Sequence, residues 1–282
     1  MRVLLVPNTG NPRALDVARA LASHLTEAGH SPVLAEDDAL AADLDAMAVC
    51  AADLGVPDLA VALGGDGTIL KAVHVLGGAD ARILGLNLGR LGFLSGADGT
   101  DPLGAVDAAL AGEGTLERRM TLTADVVVGG RPAGAYRALN EVYVGRGFGH
   151  RAVEIAVHVA GEELTRFVCD GVVVATATGS TAYALSAGGP IVSPDASGML
   201  LVPVAPHTLR ARPLMLGPDE VVDLVLDDPT RSDGCVVVDG DSVPCRSSLD
   251  RVTVRRDARD VTLVRLDGRS FHRVLRDTFL RG

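Results

Sequence analysis

The sequence contains a glycine-rich turn with one acidic residue, Gly64-Gly65-Asp66-Gly67-Thr68. The turn follows the apolar run 58–63 and precedes apolar residues at helical spacing, so a strand is predicted to end here and a helix to begin. Glycines allow close approach of a ligand and positive φ, and the free N–H groups of a helix start attract phosphate. The residues expected to lie against phosphate are Gly64, Gly65, Gly67 and Thr68.

An aspartate inside a phosphate-binding turn needs a second function, because its charge repels phosphate. Asp66 could act as a general base toward a hydroxyl, or reach the phosphates through a divalent metal ion. The structural alternative is a tight turn in which Asp66 caps the helix N-terminus. We favour the chemical role, because the whole G-G-D-G-T pattern follows an apolar strand. Lys71, the only lysine of the chain, could hold phosphate or be a solvated surface residue.

Composition argues against several classes of protein. A net charge of −10 disfavours broad nucleic-acid binding, which needs clustered basic residues. The apolar runs are too short to cross a membrane, and the N-terminus lacks the apolar stretch of a signal peptide. We therefore expect a cytoplasmic protein with no membrane partner. Four cysteines without C-x-x-C or zinc spacing are expected to be free thiols: Cys50, Cys169, Cys235 and Cys245.

A chain of 282 residues is expected to form two domains. Residues 1–116 alternate short apolar strands with helical segments, the pattern of a Rossmann-like parallel sheet covered by helices. The strands are predicted at 2–6, 32–35, 58–63 and 82–86. The helices are predicted from 13 to a stop at Gly29, at about 40–54, after Thr68 and at about 102–112.

Residues 117–269 have closely spaced strand-like runs separated by turn residues, which leaves little room for helices. This pattern predicts a mainly antiparallel β domain. The runs are 121–128, 137–144, 153–159, 164–176, 199–204, 221–226, 234–239 and 251–265. Residues 270–282 have apolar side chains at helical spacing, and we expect this helix to pack back on the first domain.

The glycine-rich turn resembles the signature of a kinase superfamily. That superfamily holds NAD kinases, diacylglycerol and sphingosine kinases and, more distantly, phosphofructokinases. Two further segments distinguish among these families. Residues 87–94, N-L-G-R-L-G-F-L, resemble the N-x-G-x-x-G-F-L loop of NAD kinases, and residues 139–142, L-N-E-V, resemble their N-E element.

The second half of the chain continues the same resemblance. Residues 169–171 and 178–190 are similar to the D-G and T-G-S-T-A-Y-x-x-S-x-G-G-P segments of NAD kinases, and 205–214 fits the motif that follows. Several ordered motifs at compatible spacing cover nearly the whole chain. The sequence is thus identified as a member of the NAD kinase family.

The resemblance implies a reaction. The γ-phosphoryl group of ATP would pass to the 2′-hydroxyl of the adenosine ribose of NAD, giving NADP and ADP. Asp66 would take the proton of that hydroxyl, while Mg²⁺ or another divalent cation neutralises phosphate charge. The sequence identifies no protein ligands for the metal, and it leaves open whether polyphosphate can replace ATP.

The resemblance also assigns residues that bind NAD. Asn140 and Glu141 would bind the adenine and the ribose hydroxyls, and Tyr183 would stack on the adenine. Asp170 and Ala205 would contact the opposite end of the dinucleotide, and Arg151 would lie near its phosphates. The other predicted NAD contacts are Gly67, Lys71, Thr178, Thr181, Ala182 and Ser186.

Four of these assigned residues also have a plain structural interpretation. Asn140 could form a turn, Glu141 an exposed strand end, Tyr183 a core position and Arg151 plain surface. Two positions depart from the family pattern: Asp241 replaces a frequent glutamine and Val168 a frequent arginine. Preference for NAD⁺ or NADH, and feedback by NADPH, are therefore left open.

Two other functions are compatible with parts of the pattern. A lipid kinase of the same superfamily would act on a diacylglycerol-like alcohol, but it has no use for the T-G-S-T-A-Y segment. A non-catalytic NAD(P)-binding regulator would be expected to lose the base, and Asp66 is present. The resemblance further implies a homodimer or homotetramer formed through the β-rich domain.

Overall fold

The computed structural model of the chain describes residues 1–89, 92–147, 151–226, 234–244 and 248–280. The chain divides into two compact units, Met1–Arg118 together with Val261–Gly282, and Arg119–Asp260. Among the described residues, no helix has both the length and the apolar character needed to cross a bilayer. Cys50 and Cys169 are free thiols, and Sγ of Cys235 donates to the carbonyl oxygen of Arg146 (3.2 Å), whereas Cys245 lies outside the described residues.

The described part of the first unit forms a sheet of eight strands, numbered here along the chain. They are β1 (Arg2–Pro7), β2 (Ser31–Ala35), β3 (Ala48–Val49), β4 (Leu59–Gly64), β5 (Arg82–Asn87), β6 (Ala97–Asp98), β7 (Thr115–Arg119) and β20 (Val261–Arg265). The helices are α1 (Pro12–Glu27), α2 (Glu36–Ala41), α3 (Asp66–Leu76), α4 (Pro102–Leu110) and α6 (Phe271–Leu275).

The order of the strands is β3-β2-β1-β4-β5-β20-β7, with β6 beside β5. Parallel pairing links β3, β2, β1, β4, β5 and β20 in that order. Strands β1 and β4 are buried along nearly their whole length, as expected for a parallel sheet covered on both faces. The carboxyl ends of β1 and β4 are adjacent, since Pro7 pairs with Leu63.

Helix α1 shows how the sequence sets these elements. The side chain of Asn11 accepts a hydrogen bond from the N–H of Arg13, and Pro12 starts the helix. Gly29, at φ 78°, allows the chain to turn away after the helix ends. The buried face of α1 packs on the sheet with Ala14, Ala18, Leu21, Ala22 and Leu25.

The predicted helix at 40–54 is wrong. Helix α2 ends at Ala41, and Asp43 adopts a left-handed φ of 56°, which an α-helix does not tolerate. Two 3₁₀ turns, Asp45–Met47 and Ala51–Asp53, flank the short strand β3. Parallel pairing of β3 with β2 outweighs the helical preference of this alanine-rich stretch.

The second unit is built of two six-stranded sheets. Its strands are β8 (Leu122–Val128), β9 (Arg131–Ala138), β10 (Glu141–Arg146), β11 (Val153–Val159), β12 (Glu162–Cys169), β13 (Gly171–Ala175), β14 (Met199–Val204), β15 (Leu214–Leu216), β16 (Val222–Leu226), β17 (Gly234–Val238), β18 (Asp241–Ser242) and β19 (Leu249–Arg256). Helix α5 (Tyr183–Ser186) follows a 3₁₀ turn, Thr178–Thr181.

One sheet has the order β15-β14-β13-β10-β17-β18, and the other has the order β12-β11-β16-β19-β8-β9. Both are antiparallel in the described residues. Side chains of the two sheets form one hydrophobic core, as in a β-sandwich. The predicted fold class, an α/β domain with a mainly parallel sheet followed by an antiparallel β domain, is confirmed.

Three predicted strands are each two strands. Run 137–144 breaks between Ala138 and Glu141, and run 164–176 breaks at Asp170. At both breaks the chain crosses from one sheet of the sandwich to the other, from β9 to β10 and from β12 to β13. The third run, 251–265, divides into β19 of the second unit and β20, which pairs in parallel with β5 of the first. The sequence pattern, by contrast, predicts that 261–269 belongs to the second domain.

Candidate active site

Asp66 is the first residue of α3, at the carboxyl end of β4. The helix cap is Gly65, with no side-chain capping bond, so Asp66 does not cap the helix. Its carboxylate instead accepts backbone hydrogen bonds from Phe93 (Oδ2, 2.8 Å) and Leu94 (Oδ1, 3.1 Å). The side chain is half-buried and fixed in direction by these bonds.

Gly92 lies directly against this carboxylate. A β-carbon at Gly92 would be 2.0 Å from Oδ1 of Asp66. The second glycine of the N-x-G-x-x-G-F-L segment is therefore required by the position of Asp66. Arg90 and Leu91 of the same segment lie outside the described residues.

The glycines of the turn matter because they lack a side chain, not because they adopt unusual backbone angles. None of Gly64, Gly65 and Gly67 adopts positive φ, contrary to expectation. Gly64 is needed for close packing, since a β-carbon there would lie 2.3 Å from Oγ1 of Thr68. At Gly65 and Gly67 a β-carbon would meet no atom within 4 Å, so both face open space.

That open space belongs to a cavity of about 290 Å³ at the start of α3. Its lining residues are Pro7, Asn8, Thr9, Gly65, Gly67, Thr68 and Lys71. The first N–H groups of a helix have no partner within the helix, and they favour anions. Asn8 and Thr9 were not predicted as site residues. Their position in the sequence could have identified them, because they directly follow β1, whose carboxyl end adjoins that of β4. Ligands of parallel sheets bind at the carboxyl ends of the strands.

Lys71 lies at this cavity but is not a freely solvated side chain. Its ammonium donates hydrogen bonds to Oδ1 of Asp38 and to the carbonyl oxygen of Pro7, at 3.4 Å from the latter. Asp38 is buried, and its Oδ2 has no hydrogen-bond partner among the described residues. Asp38 thus holds the ammonium of Lys71 at the edge of the cavity, in a pair that is neutral overall.

Asn140 and Glu141 lie where the chain passes from β9 in one sheet of the second unit to β10 in the other, here named the Asn140 crossing. The carboxylate of Asp239 accepts backbone hydrogen bonds from Leu139 (Oδ2, 2.7 Å), Asn140 (Oδ1, 2.8 Å) and Glu141 (Oδ1, 3.0 Å). Asp239 itself adopts a left-handed φ of 49°. Sequence reasoning missed this role, because Asp239 is distant in sequence and lies in an ordinary-looking D-G turn.

Glu141 is buried, not an exposed strand end. Burial, and secondly the charge of Asp239, raise the pKa of Glu141 to about 7, against the lowering effect of a hydrogen bond from the backbone N–H of Tyr183. Its Oε2 has no hydrogen-bond partner among the described residues. A buried acceptor of this kind is suited to a hydroxyl donor.

Tyr183 begins α5 and is 41% exposed, which excludes a core position. Its ring lies edge-on to that of Tyr143, with centroids 5.7 Å apart. The Tyr143 hydroxyl donates to the carbonyl oxygen of Asp170 (2.8 Å), and burial raises the pKa of Tyr143. Tyr183 therefore has a fixed edge contact and a free face.

The T-G-S-T-A-Y segment packs against the Asn140 crossing. A β-carbon at Gly179 would lie 2.1 Å from the carbonyl oxygen of Asn140. Thr178 is buried, and its Oγ1 accepts a hydrogen bond from Arg119 (3.4 Å). Thr181 and Ala182 are half-buried and Ser186 is exposed.

Three further predicted contacts belong to the second unit. Asp170 is half-buried and forms an ion pair with Arg146, with Nε and Oδ1 3.1 Å apart. Ala205 is exposed and adopts a left-handed φ of 46° just after β14. Arg151 is exposed, before β11.

A metal ion would find few protein ligands in the described residues. No group of three or more His, Cys, Asp or Glu side chains there is placed to hold one. Mg²⁺ commonly binds through one or two carboxylates together with substrate phosphates. Asp66, beside the cavity-lining turn, is the carboxylate that fits this mode.

Two family models match this chain. The model of the ATP-NAD kinase N-terminal domain matches residues 3–113, and that of the ATP-NAD kinase C-terminal domain matches 139–266. The chain belongs to the NAD kinase family. Members of this family are ATP-dependent kinases.

Curated NAD kinases match along almost the entire chain. The NAD kinase of Leifsonia xyli is 39% identical over 94% of this chain and 89% of its own length. The NAD kinase of Heliobacterium modesticaldum is 37% identical, over 99% of this chain and 98% of its own.

Two solved NAD(H) kinase structures share the fold. The yeast NADH kinase complexed with NADH aligns with a TM-score of 0.88 at 25% identity, over 99% of this chain and 87% of that one. An NAD kinase from Archaeoglobus fulgidus in complex with ATP aligns with a TM-score of 0.74 at 26% identity, over 100% of both chains.

Proposed function

We propose that this chain transfers the γ-phosphoryl group of ATP to the 2′-hydroxyl of the adenosine ribose of NAD, giving NADP and ADP. The observation that carries the proposal is the carboxylate of Asp66, held by two backbone N–H groups in a glycine-rich turn that lines a cavity at a helix N-terminus. Membership of the NAD kinase family supplies the two substrates.

Asp66 is proposed to be the general base. Each of its oxygens accepts one backbone hydrogen bond, and a carboxylate oxygen has a second lone pair available. As the ribose oxygen bonds to the γ-phosphorus, its proton passes to Asp66 and the bond to the β-phosphate oxygen breaks, releasing ADP. Phosphoryl transfer depends mainly on positioning, which the two N–H bonds provide.

The donor phosphates are proposed to occupy the cavity lined by Gly65, Gly67, Thr68 and Lys71. Gly64 supports this surface by allowing close contact with Thr68. The positive end of the α3 helix dipole and the ammonium of Lys71 are proposed to offset phosphate charge. Backbone donors do not distinguish sharply between ATP and polyphosphate, so polyphosphate is a second donor to be tested.

Mg²⁺, or another divalent cation, is proposed to accompany ATP, with Asp66 as its protein ligand. When bound, the ion neutralises charge on the phosphate oxygens. Asp66 would then serve both as base and as ligand, whereas the backbone donors Phe93 and Leu94 hold the carboxylate in place.

The adenosine half of NAD is proposed to bind at Asn140, Glu141 and Tyr183. The buried carboxylate of Glu141 is suited to accept hydrogen bonds from ribose hydroxyls, and Asn140 to pair with adenine. The free face of Tyr183 offers a stacking surface for adenine. Hydrogen bonds around the base are proposed from Thr178, Thr181, Ala182 and Ser186.

Further NAD contacts are proposed at the other end of the dinucleotide. Asp170 and Ala205 would contact the nicotinamide side, and Arg151 the phosphates. A homodimer or homotetramer is likewise proposed from the family resemblance, to be measured by light scattering of the purified protein. The cytoplasmic location expected from the sequence stays a prediction.

A coupled assay tests the proposed function. Purified protein is incubated with ATP, MgCl₂ and NAD, and NADP is detected with an NADP-specific dehydrogenase. We expect NADP and ADP to form in equal amounts, and no phosphorylation when diacylglycerol replaces NAD. Protein that binds NAD yet forms no NADP would contradict the proposal and favour a non-catalytic NAD-binding role.

A further inference from the structure

A buried arginine lies behind the loop that holds Asp66. Arg265, at the end of β20, is 6% exposed, and each of its three guanidinium nitrogens donates a hydrogen bond. It donates to the carbonyl oxygens of Phe93 (2.6 Å) and Ser95, and its Nε is 3.1 Å from Oε2 of Glu117. The guanidinium thus bonds to both sides of the segment that reaches Asp66.

One peptide group connects Arg265 to Asp66. The carbonyl of Phe93 belongs to the same peptide group as the N–H of Leu94. That carbonyl accepts from Nη2 of Arg265, and that N–H donates to Oδ1 of Asp66. A positive charge on the carbonyl side polarises the peptide and strengthens its N–H as a donor, because hydrogen bonds in a chain reinforce one another.

Arg265 is not needed merely to attach the loop to the sheet. Gly96 already does this through backbone bonds: its N–H donates to Gly85 (2.9 Å), and its carbonyl accepts from Leu266 (2.8 Å). Burying a charged guanidinium has a desolvation cost, which an apolar side chain would avoid. The charged side chain therefore has a function beyond packing.

We propose that Arg265 is a positioning residue for catalysis, which fixes the 93–95 segment so that both N–H groups aim at the carboxylate of Asp66. The inference rests on the proposed role of Asp66 as base. It also explains why β20 returns to the first unit, since Val261–Arg265 pairs with β5 immediately beside this loop.

Steady-state kinetics of Arg265→Met and Arg265→Lys test the inference. A misplaced catalytic group of this kind costs about a hundredfold, so kcat of Arg265→Met is expected to fall by about that factor. The KM values for NAD and ATP are expected to change little, because the substrate contacts remain. Arg265→Lys retains the charge and reaches one carbonyl, and is expected to recover part of kcat.

Arg19→Met is the matched control, because Arg19 is an arginine of the same unit that pairs with Asp16 and Asp43 and donates to the carbonyl oxygen of Ala42 (3.2 Å) rather than to residues 93–95. It is expected to keep the wild-type kcat. A folded Arg265→Met or Arg265→Lys protein with wild-type kcat would overturn the inference, and so would equal losses in the control. Wild-type protein without NADP formation would instead count against the proposed function.

Amide hydrogen exchange provides a readout that does not depend on activity. In Arg265→Lys, which retains the buried charge, peptides covering 92–96 are expected to exchange faster than in wild type. Peptides of α1 are expected to be unchanged, which separates a local effect from general loss of stability. Unchanged protection at 92–96 in both Arg265 variants would overturn the positioning role.

Discussion

Gly92 and Asp66 are in such close contact that a β-carbon at Gly92 would lie 2.0 Å from Oδ1 of the carboxylate. The next two residues donate the N–H groups that hold that carboxylate. The proposed base is therefore positioned by the backbone of a separate loop, and its geometry depends on a residue that has no side chain.

Gly92→Ala is expected to displace the carboxylate of Asp66 and to lower kcat by about a hundredfold, the scale on which loss of a general base acts. Thermal unfolding should change little, because the clash falls on a half-buried side chain. Gly89→Ala is the control from the same loop, since a β-carbon at Gly89 meets no atom within 4 Å. Equal kcat values for the two variants would contradict the proposed contact.

Asp239→Asn is expected to weaken both the fold and NAD binding. The carboxylate accepts three backbone N–H groups at the Asn140 crossing, and an amide nitrogen would face one of them. Loss of a hydrogen bond to a charged acceptor costs about 1.5–3 kcal/mol, which denaturant unfolding can measure. Asp250→Asn is the control, because Asp250 accepts from the N–H of Gly130 at an exposed position. A variant with the same stability as that control would remove Asp239 from this role.

Glu141 is expected to give NAD binding a pH dependence. Burial and the charge of Asp239 raise the pKa of Glu141 to about 7, so the ionised acceptor form is lost as pH falls below about 7. The Kd for NAD, measured by calorimetry without ATP, is expected to rise between pH 8 and about 5.5. Glu141→Gln is expected to bind more weakly and to lack this pH dependence; a Gln variant with the wild-type profile would exclude Glu141.

The same titration affects stability in the opposite direction. The folded state holds the Glu141 proton more tightly than the unfolded state, whose pKa is the ordinary 4.5. This contribution is fully present below about pH 4.5 and is lost as pH rises toward about 7, by up to about 3 kcal/mol. The free energy of unfolding of wild type relative to Glu141→Gln is therefore expected to decline across that window and to be constant above it.

Lys71→Met leaves the buried carboxylate of Asp38 without its cation. Breaking a buried ion pair by removing one partner costs about 3–5 kcal/mol, and partial exposure of Lys71 reduces this to about 2. The double variant Lys71→Met/Asp38→Leu is expected to regain stability. The KM for ATP is expected to be raised in both variants, because both lack the ammonium proposed to contact the donor phosphates. If the single variant were as stable as wild type, the ion pair would have no structural role.

The sequence was sufficient to predict most elements and the turn that positions Asp66. Apolar runs such as 59–64 and the helical spacing after Thr68 can be recognised within a short stretch of sequence, and each predicts its own strand or helix. The family motifs also named Asn140, Glu141 and Tyr183 as candidates before any geometry was known. Their burial and contacts became visible only in the fold.

Long-range relationships could not be predicted from the sequence. The breaks at Asn140 and Asp170 occur where the chain crosses between two sheets, and each looks like the interior of one continuous strand. The carboxylate of Asp239 accepts hydrogen bonds from residues that lie 98–100 positions earlier in the chain. Strand β20 follows β19 directly, but it pairs with β5 of the first unit, and Arg265 owes its position to that pairing.

The rate of NADP formation by Asp66→Asn at saturating NAD, ATP and MgCl₂ shows whether Asp66 is the general base. Asp16→Asn, at an exposed position, is the control. We expect Asp66→Asn to bind NAD with nearly wild-type affinity while its kcat falls by about a hundredfold or more, with the control unchanged. A folded Asp66→Asn protein that forms NADP at the wild-type rate would exclude Asp66 as the general base.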